Sequence, residues 1–265
     1  MKDIKDVIKV RGGFVIGMVH CLPLPGSPAY RGDMGKVLGR AVEDAKTLER
    51  GGVDALIVEN TNDAPFTELL TKAQVAALSA VTALVRQAVS IPVGSDASFN
   101  DCEASLGIAV ANGCDFVRVP VFVDTVSNWC GIVSPCAHKV IELRHHLGAD
   151  DVMLLCDVQV KHSSMLLPQV SIEESAANAE AAGADAIIVT GTTTGEETPI
   201  DMIRRVKSVV DLPVLAGSGI SPTDVVEQFK VADGAIVGST FKKGGLTTNP
   251  VDYDLVRTLM RPLGR

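Results

Sequence analysis

The sequence predicts a single (β/α)8 barrel over residues 1–265, an α/β protein of one domain. Three observations carry that prediction. Eight short runs rich in Val, Ile and Leu alternate with longer amphipathic stretches. Their starts, from Phe14 to Asp233, lie 219 residues apart over seven intervals, about 31 residues per strand–helix unit. The length of 265 residues matches the roughly 250 that one such barrel uses. An open doubly wound sheet is the competing arrangement of the same units.

The first strand, FVIGMVH from Phe14, ends at His20. A loop with Pro23, Pro25 and Pro28 runs on to Asp33. Gly51-Gly52 separate the next helix from the second strand, DALIVEN, which starts at Asp54 and ends at Glu59-Asn60. The third strand runs from Ile91 to Asp96, and the fourth starts at Asp115 and carries Arg118. A second long loop, Phe122 to Cys136, follows. Both loops are candidate lids over a substrate. The helix after it holds His138, His145 and His146, expected on the outer ring. The fifth strand, from Val152, ends in Asp157, then Gln159, Lys161 and His162. Ser171-Ile172-Glu173-Glu174 reads as a capping box opening an Ala-rich helix that stops at Gly183. The sixth strand, from Asp185, ends in Thr190-Gly191-Thr192-Thr193-Thr194-Gly195. The seventh, from Leu212, ends in Gly217-Ser218-Gly219, and Ser221-Pro222 reads as a helix cap with Pro at the first helical position. The eighth, from Asp233, ends in Gly238-Ser239.

One phrase recurs. Asp54, Asp115, Asp185 and Asp233 each open an even-numbered strand, the first three after a Gly and one further residue. Ile91-Pro92-Val93 in strand three matches Leu212-Pro213-Val214 in strand seven. Strands four elements apart thus look alike, as in a doubled half-barrel, although similar helix-to-strand turns would also produce the echo.

Composition excludes several functions. The net charge of −8 and the lack of a basic block exclude a nucleic-acid groove. Only ten residues are aromatic, too few for base-stacking surfaces. No run of ~20 apolar residues offers a transmembrane segment. The charged start, Met1-Lys2-Asp3, is not a secretory signal. Six scattered cysteines read as reduced thiols, so a cytoplasmic protein is expected.

Barrel sites lie at the C-terminal ends of the strands. The glycine-rich ends of strands seven and eight, Gly217-Ser218-Gly219 and Gly238-Ser239, read as a phosphate cradle. Glycines let backbone N–H groups approach phosphate oxygens, and a following helix N-terminus adds donors and dipole. Opposite, Glu59, Asp96 and Asp157 converge with Arg118, Lys161, His20 and His162. Alternation puts His20 with Met18, Glu59 with Ile57 and Asp157 with Leu155. Such a set suits proton abstraction beside a carbonyl. Asp157 or Glu59 would be the base and His20 or His162 the acid. Lys161, Arg118 or a metal would stabilise the oxyanion. Asn60, Thr190 and Thr192 are further substrate-binding candidates. A divalent ion, Mg2+ or Zn2+, could be held by Glu59, Asp96, Asp157 and a His, although no compact metal motif is present. Each group has a structural alternative: an ion-pair layer for Arg118, a core histidine for His20, a solvated loop for Lys161.

Segments 17–28 (GMVHCLPLPGSP), 53–60 (VDALIVEN), 157–163 (DVQVKHS) and 189–195 (VTGTTTG), with Gly217-Ser218-Gly219, resemble the BtpA/SgcQ family over essentially the whole chain. The resemblance implies a TIM barrel of the ribulose-phosphate-binding type. One branch of that family is linked to photosystem I biogenesis at the membrane periphery. Another occurs with carbohydrate-uptake genes and carries enzyme labels, including a nucleoside triphosphatase. No Walker-type G-x-x-x-x-G-K-[ST] supports that last label here. The expected function is an isomerase-, epimerase- or aldolase-like enzyme on a small phosphorylated sugar or related metabolite. The alternative is a non-catalytic biogenesis factor for a membrane complex. A homo-oligomer is compatible with either.

Overall fold

The computed structural model describes residues 13–191 and 198–265. Its strands are β1 (Phe14–His20), β2 (Ala55–Glu59), β3 (Val93–Asp96), β4 (Phe116–Val119), β5 (Val126–Asn128), β6 (Gly131–Val133), β7 (Met153–Val158), β8 (Ser164–Met165), β9 (Ala186–Val189), β10 (Val214–Ala216) and β11 (Gly234–Val237). Eight of them close into a parallel barrel in the order β1-β2-β3-β4-β7-β9-β10-β11. The closing pair is β1 with β11, Phe14 opposite Gly234. That pairing decides for the barrel over the open sheet.

The helices are α1 (Met34–Gly51), α2 (Lys72–Ala88), α3 (Cys102–Asn112), α4 (Ala137–His146), α5 (Ile172–Ala181), α6 (Ile200–Lys207), α7 (Val225–Gln228) and α8 (Tyr253–Met260). Alternate strand residues separate two cores. Phe14, Ile16, Met18, Ile57, Phe116, Leu155, Ile188 and Ile236 fill the barrel interior. Val15, Val19, Leu56, Val58, Val117, Leu154 and Ile187 face outward beneath the helices. Burial on both faces explains the unbroken aliphatic runs. The two interior phenylalanines need glycine partners. A Cβ on Gly234 would lie 2.6 Å from the Phe14 ring, and one on Gly94 would lie 2.3 Å from the Phe116 ring.

The recurring aspartates have one job at the bottom of the barrel. The carboxylates of Asp54, Asp115, Asp185 and Asp233 accept from the backbone N–H of Val15, Val93, Leu154 and Val214, at 2.8–2.9 Å. Each aspartate's own N–H donates back to the carbonyl of that same residue. This reciprocal clamp ties every even barrel strand to the odd strand before it, so the echo repeats four times around the barrel. Pro92 and Pro213 also share a role, since their carbonyls accept from Leu56 and Ile187.

Two expected caps differ. Ser171 accepts from the Glu174 N–H at 3.1 Å, but the full reciprocal box belongs to Thr71 and Gln74 at the start of α2. Ser221 does not cap a helix at Pro222. Its hydroxyl donates to Asp224 at 2.6 Å, and α7 starts only at Val225. The histidines of α4 are exposed on the outer ring, as expected. All six cysteines are free thiols.

The two candidate lids part company. Within 122–136, β5 and β6 form a hairpin, and β8 adds to it as a three-stranded antiparallel sheet. The loop from Cys21 to Asp33 instead packs down: Leu24 is fully buried and its N–H donates to Asp63 at 2.7 Å.

Candidate functional site

Counting alternate residues up each strand gives the top interior layer: His20, Glu59, Asp96, Arg118, Asp157, Thr190, Gly217 and Gly238. Five successive strands supply charged or ionisable groups; the last two supply glycines. All of this layer but Asp157 and Thr190 lines a cavity of about 360 Å³. His20, Glu59, Asp96, Arg118, Lys161 and His162 line it together with Gly217, Ser218, Gly219, Gly238 and Ser239.

Asp157 does not line the cavity. Its oxygens accept from Arg118 Nε and Nη2, both at 2.8 Å, in a buried bidentate fork. This occupied carboxylate serves as the anchor of Arg118 rather than as a base. The third guanidinium nitrogen, Nη1, lies 3.8 Å from Asp96. Asp96 is 1% exposed and its oxygens accept no hydrogen bond. Burial first, then the charge of Glu59, push its acid well above the usual carboxylate range, against the pull of Arg118.

Glu59 accepts from the Ser98 hydroxyl at 2.9 Å, and its other oxygen lies 3.5 Å from His20 Nε2. Burial holds His20 well below the usual imidazole value, and the charges of Lys242, Lys161 and Arg118 add to the effect. The ring is therefore neutral at pH 7, and its Nδ1 is buried without a partner. His20 presses on Gly238, where a Cβ would lie 2.7 Å from its Cε1. Glycine there is thus required by the histidine.

Lys161 is half-buried, and burial followed by the charge of Arg118 lowers its amine to about 8. Burial also lowers His162, whose ring faces Trp129 at 6.3 Å. The chain here is bent by left-handed backbone at Gln159 (φ 48°) and His162 (φ 61°). The Asp124 carboxylate accepts from Gln159 N–H at 2.7 Å, and the Thr190 hydroxyl accepts from Lys161 N–H at 3.0 Å. Thr190 is therefore a support for Lys161 and does not line the cavity. Asn60 is also withdrawn from it: its amide clamps the backbone of Ser98 and the side chain of Asp63. Thr192 lies outside the described residues.

The glycine half offers backbone donors. The Gly217 N–H is spent on the Val189 carbonyl at 2.7 Å. Among the described residues, the N–H groups of Gly219, Ile220, Gly238, Ser239 and Thr240 make no hydrogen bond within the protein. The last two open a 3-10 turn, Ser239–Phe241. The Thr240 hydroxyl donates to the Ile220 carbonyl at 2.8 Å and so ties the two turns together. This donor set keeps Gly219, Gly238 and Ser239 of the expected cradle, adds Ile220 and Thr240, and loses the Gly217 N–H.

The carboxylates do not fit a metal. Among the described residues no three His, Cys, Asp or Glu side chains group as ligands. Asp157 is closed by the Arg118 fork, and the same guanidinium brings positive charge beside Asp96.

Sequence patterning missed the roof. Phe66, Phe99 and Trp129 line the cavity, with Trp129 stacked on Phe66 at 6.2 Å between ring centroids. The one tryptophan of the chain, in a predicted lid, was the available signal. Ser98, which orients Glu59, had none.

The family model described as "BtpA family" matches residues 12–265. The chain belongs to the BtpA family. An uncharacterized protein of Archaeoglobus fulgidus is 40% identical over 247 residues, covering 93% of this chain and 97% of that protein. The photosystem I biogenesis protein BtpA of Synechocystis is 34% identical over 240 residues, covering 90% and 83%. Among solved structures, phosphoribosyl anthranilate isomerase of Thermus thermophilus aligns with a TM-score of 0.59 at 14% identity, covering 95% of this BtpA-family chain and 98% of that one. The N-acetylmannosamine-6-phosphate 2-epimerase of Clostridium perfringens aligns at 0.55 and 13%, covering 90% of each. At such identities the likeness is one of fold.

Proposed function

We propose that this BtpA-family barrel is an enzyme that isomerises, epimerises or cleaves a small phosphorylated carbonyl metabolite of carbohydrate type. One observation carries the reading. A single cavity joins unpaired backbone donors on two adjacent turns to a buried array of acid, base and cation on the strands opposite. The donors of Gly219, Ile220, Gly238, Ser239 and Thr240 would hold the phosphate without any cation. Glu59, fixed by Ser98, would take the proton beside the carbonyl. Arg118, fixed by Asp157, would face the oxygen that gains charge. Neutral His20 would return a proton. Two fold neighbours whose names specify an isomerase and a 6-phosphate epimerase support the reaction class by analogy.

A thermal-shift screen with phosphosugars tests the assignment. At about 100-fold excess over Kd a true ligand raises Tm by roughly 5 °C or more. Ser239→Ala keeps the backbone donor and should keep the shift; Ser239→Asp puts a carboxylate on the cradle and should abolish it. A shift that survives Ser239→Asp overturns the phosphate assignment. No shift with any phosphosugar favours the second reading, a binding module for membrane-complex biogenesis as the Synechocystis relative is named. Trp129, Ile132, Leu166 and Leu167 are its candidate contacts, being exposed by 46–62%. No described helix is long and apolar enough to cross a membrane.

A further inference from the structure

Among the described residues the lysines are, with one exception, surface groups or paired ones. Lys242 is buried but donates to Asp44 and to the Asn249 carbonyl, both at 3.1 Å. Lys139, Lys207, Lys230 and Lys243 each pair with a carboxylate. Lys161 is the only lysine lining the cavity among the described residues, and its Nζ makes no hydrogen bond or ion pair there. Asp157, one of the carboxylates whose charge bears on the amine, is taken by Arg118.

The backbone of Lys161 is held as firmly as its amine is unpaired. Asp124 fixes Gln159 two residues before it, and Thr190, from the neighbouring strand end, fixes Lys161 itself. A second carboxylate contact strengthens the first: Asp124 also accepts from Ser175 at 2.7 Å. A long side chain on a pinned backbone, lining the cavity with its amine in no hydrogen bond or ion pair, is poor design for a structural salt bridge. It suits a nucleophile.

We propose that Lys161 attacks the carbonyl carbon of the substrate and carries it as an iminium through the reaction. This rests on the reading of the cavity as a site for phosphorylated carbonyl compounds. The amine lone pair forms the C–N bond, and the carbonyl π pair moves to oxygen, which takes a proton. The nitrogen then loses a proton, and the new hydroxyl, protonated once more, leaves as water while the C=N bond forms. The sum is carbonyl, amine and one proton giving iminium and water. The iminium nitrogen is the sink for the electron pair of a neighbouring C–H or C–C bond. Water reverses the sequence at the end. Glu59, His20 and His162 are the proton carriers in reach of the cavity. Arg118, Glu59, Asp157 and Asp96 are the charges that bear on the amine, with Arg118 and burial favouring its neutral form.

Borohydride trapping on the full chain, with glycolaldehyde phosphate and glycolaldehyde in parallel, tests the proposal. Peptide mapping of the wild-type protein locates the reduced adduct, so no variant need fold. The expected adduct lies on Lys161, forms at pH 7 at least about tenfold faster than on exposed lysines, and rises in rate through about pH 8. A strong preference for the phosphorylated probe supports both readings. Equal labelling of Lys161 by the two probes keeps the iminium and removes the phosphate cradle. Labelling of Lys161 no faster than of exposed lysines, with either probe, overturns the iminium whatever the thermal shifts show.

Discussion

Asp96 is a buried carboxyl held at a cost to stability. Its acid is raised by burial first and by the Glu59 charge second. The unfolded carboxyl titrates near 3.9. A carboxyl raised on folding contributes stability that is present below that value and lost as pH climbs through the folded value. Asp96→Asn should therefore raise stability at pH 7 by about 0.5–2 kcal/mol, with the gain fading towards pH 3. Thermal melts across that range check it. A loss at pH 7 would mean that Arg118 holds Asp96 as a needed anion. Any turnover found should fall in the same variant. At this scale the sequence was informative about direction. Alternation groups His20 with Met18, Glu59 with Ile57 and Asp157 with Leu155, and in the structure Met18, Ile57 and Leu155 face the barrel interior. Which partner each side chain takes was not legible. Asp157 became the anchor of Arg118 and Thr190 the support of Lys161 through distances across the barrel, which no local pattern encodes.

The elements are joined by the aspartate clamps. Asp185 accepts from Leu154 N–H at 2.8 Å and from Arg144 at 2.7 Å, in a half-buried setting. Asp185→Ala leaves that amide unpaired and should cost about 2 kcal/mol, a drop in Tm of roughly 4–8 °C measured calorimetrically. An unchanged Tm would show the clamp to be incidental. The repeat of Asp54, Asp115, Asp185 and Asp233 was visible in the sequence, but as an echo without a cause. Its cause is a pairing between neighbouring strands, so it appears only once the order of strands is known. Caps were legible where a side chain meets an amide three residues on, as Ser171 does. They failed at Ser221, where a nearby carboxylate competes for the hydroxyl. The β5–β6 hairpin was hidden for a different reason. It is three residues per strand, and β5 is paired on its other side by β8, 37 residues on at Ser127 and Ser164.

On the scale of the whole molecule the barrel divides its labour by height and by side. The lower end is fastened by the clamps, the middle is filled by aliphatics and two phenylalanines set against glycines, and the top layer carries the polar groups. Around that top layer one side is charged and the other is backbone. The few aromatics of the sequence fit this plan: several of them, Phe66, Phe99 and Trp129, roof the cavity. The net charge of −8 poses no obstacle to an anionic ligand, because the proposed cradle would use N–H groups. Those amides are proposed to bind phosphate. A titration of the 15N-labelled protein with inorganic phosphate, followed amide by amide, tests this. Saturating shifts concentrated at Gly219, Ile220, Gly238, Ser239 and Thr240 are the expected result. Shifts that leave these five amides unmoved while others respond would contradict it.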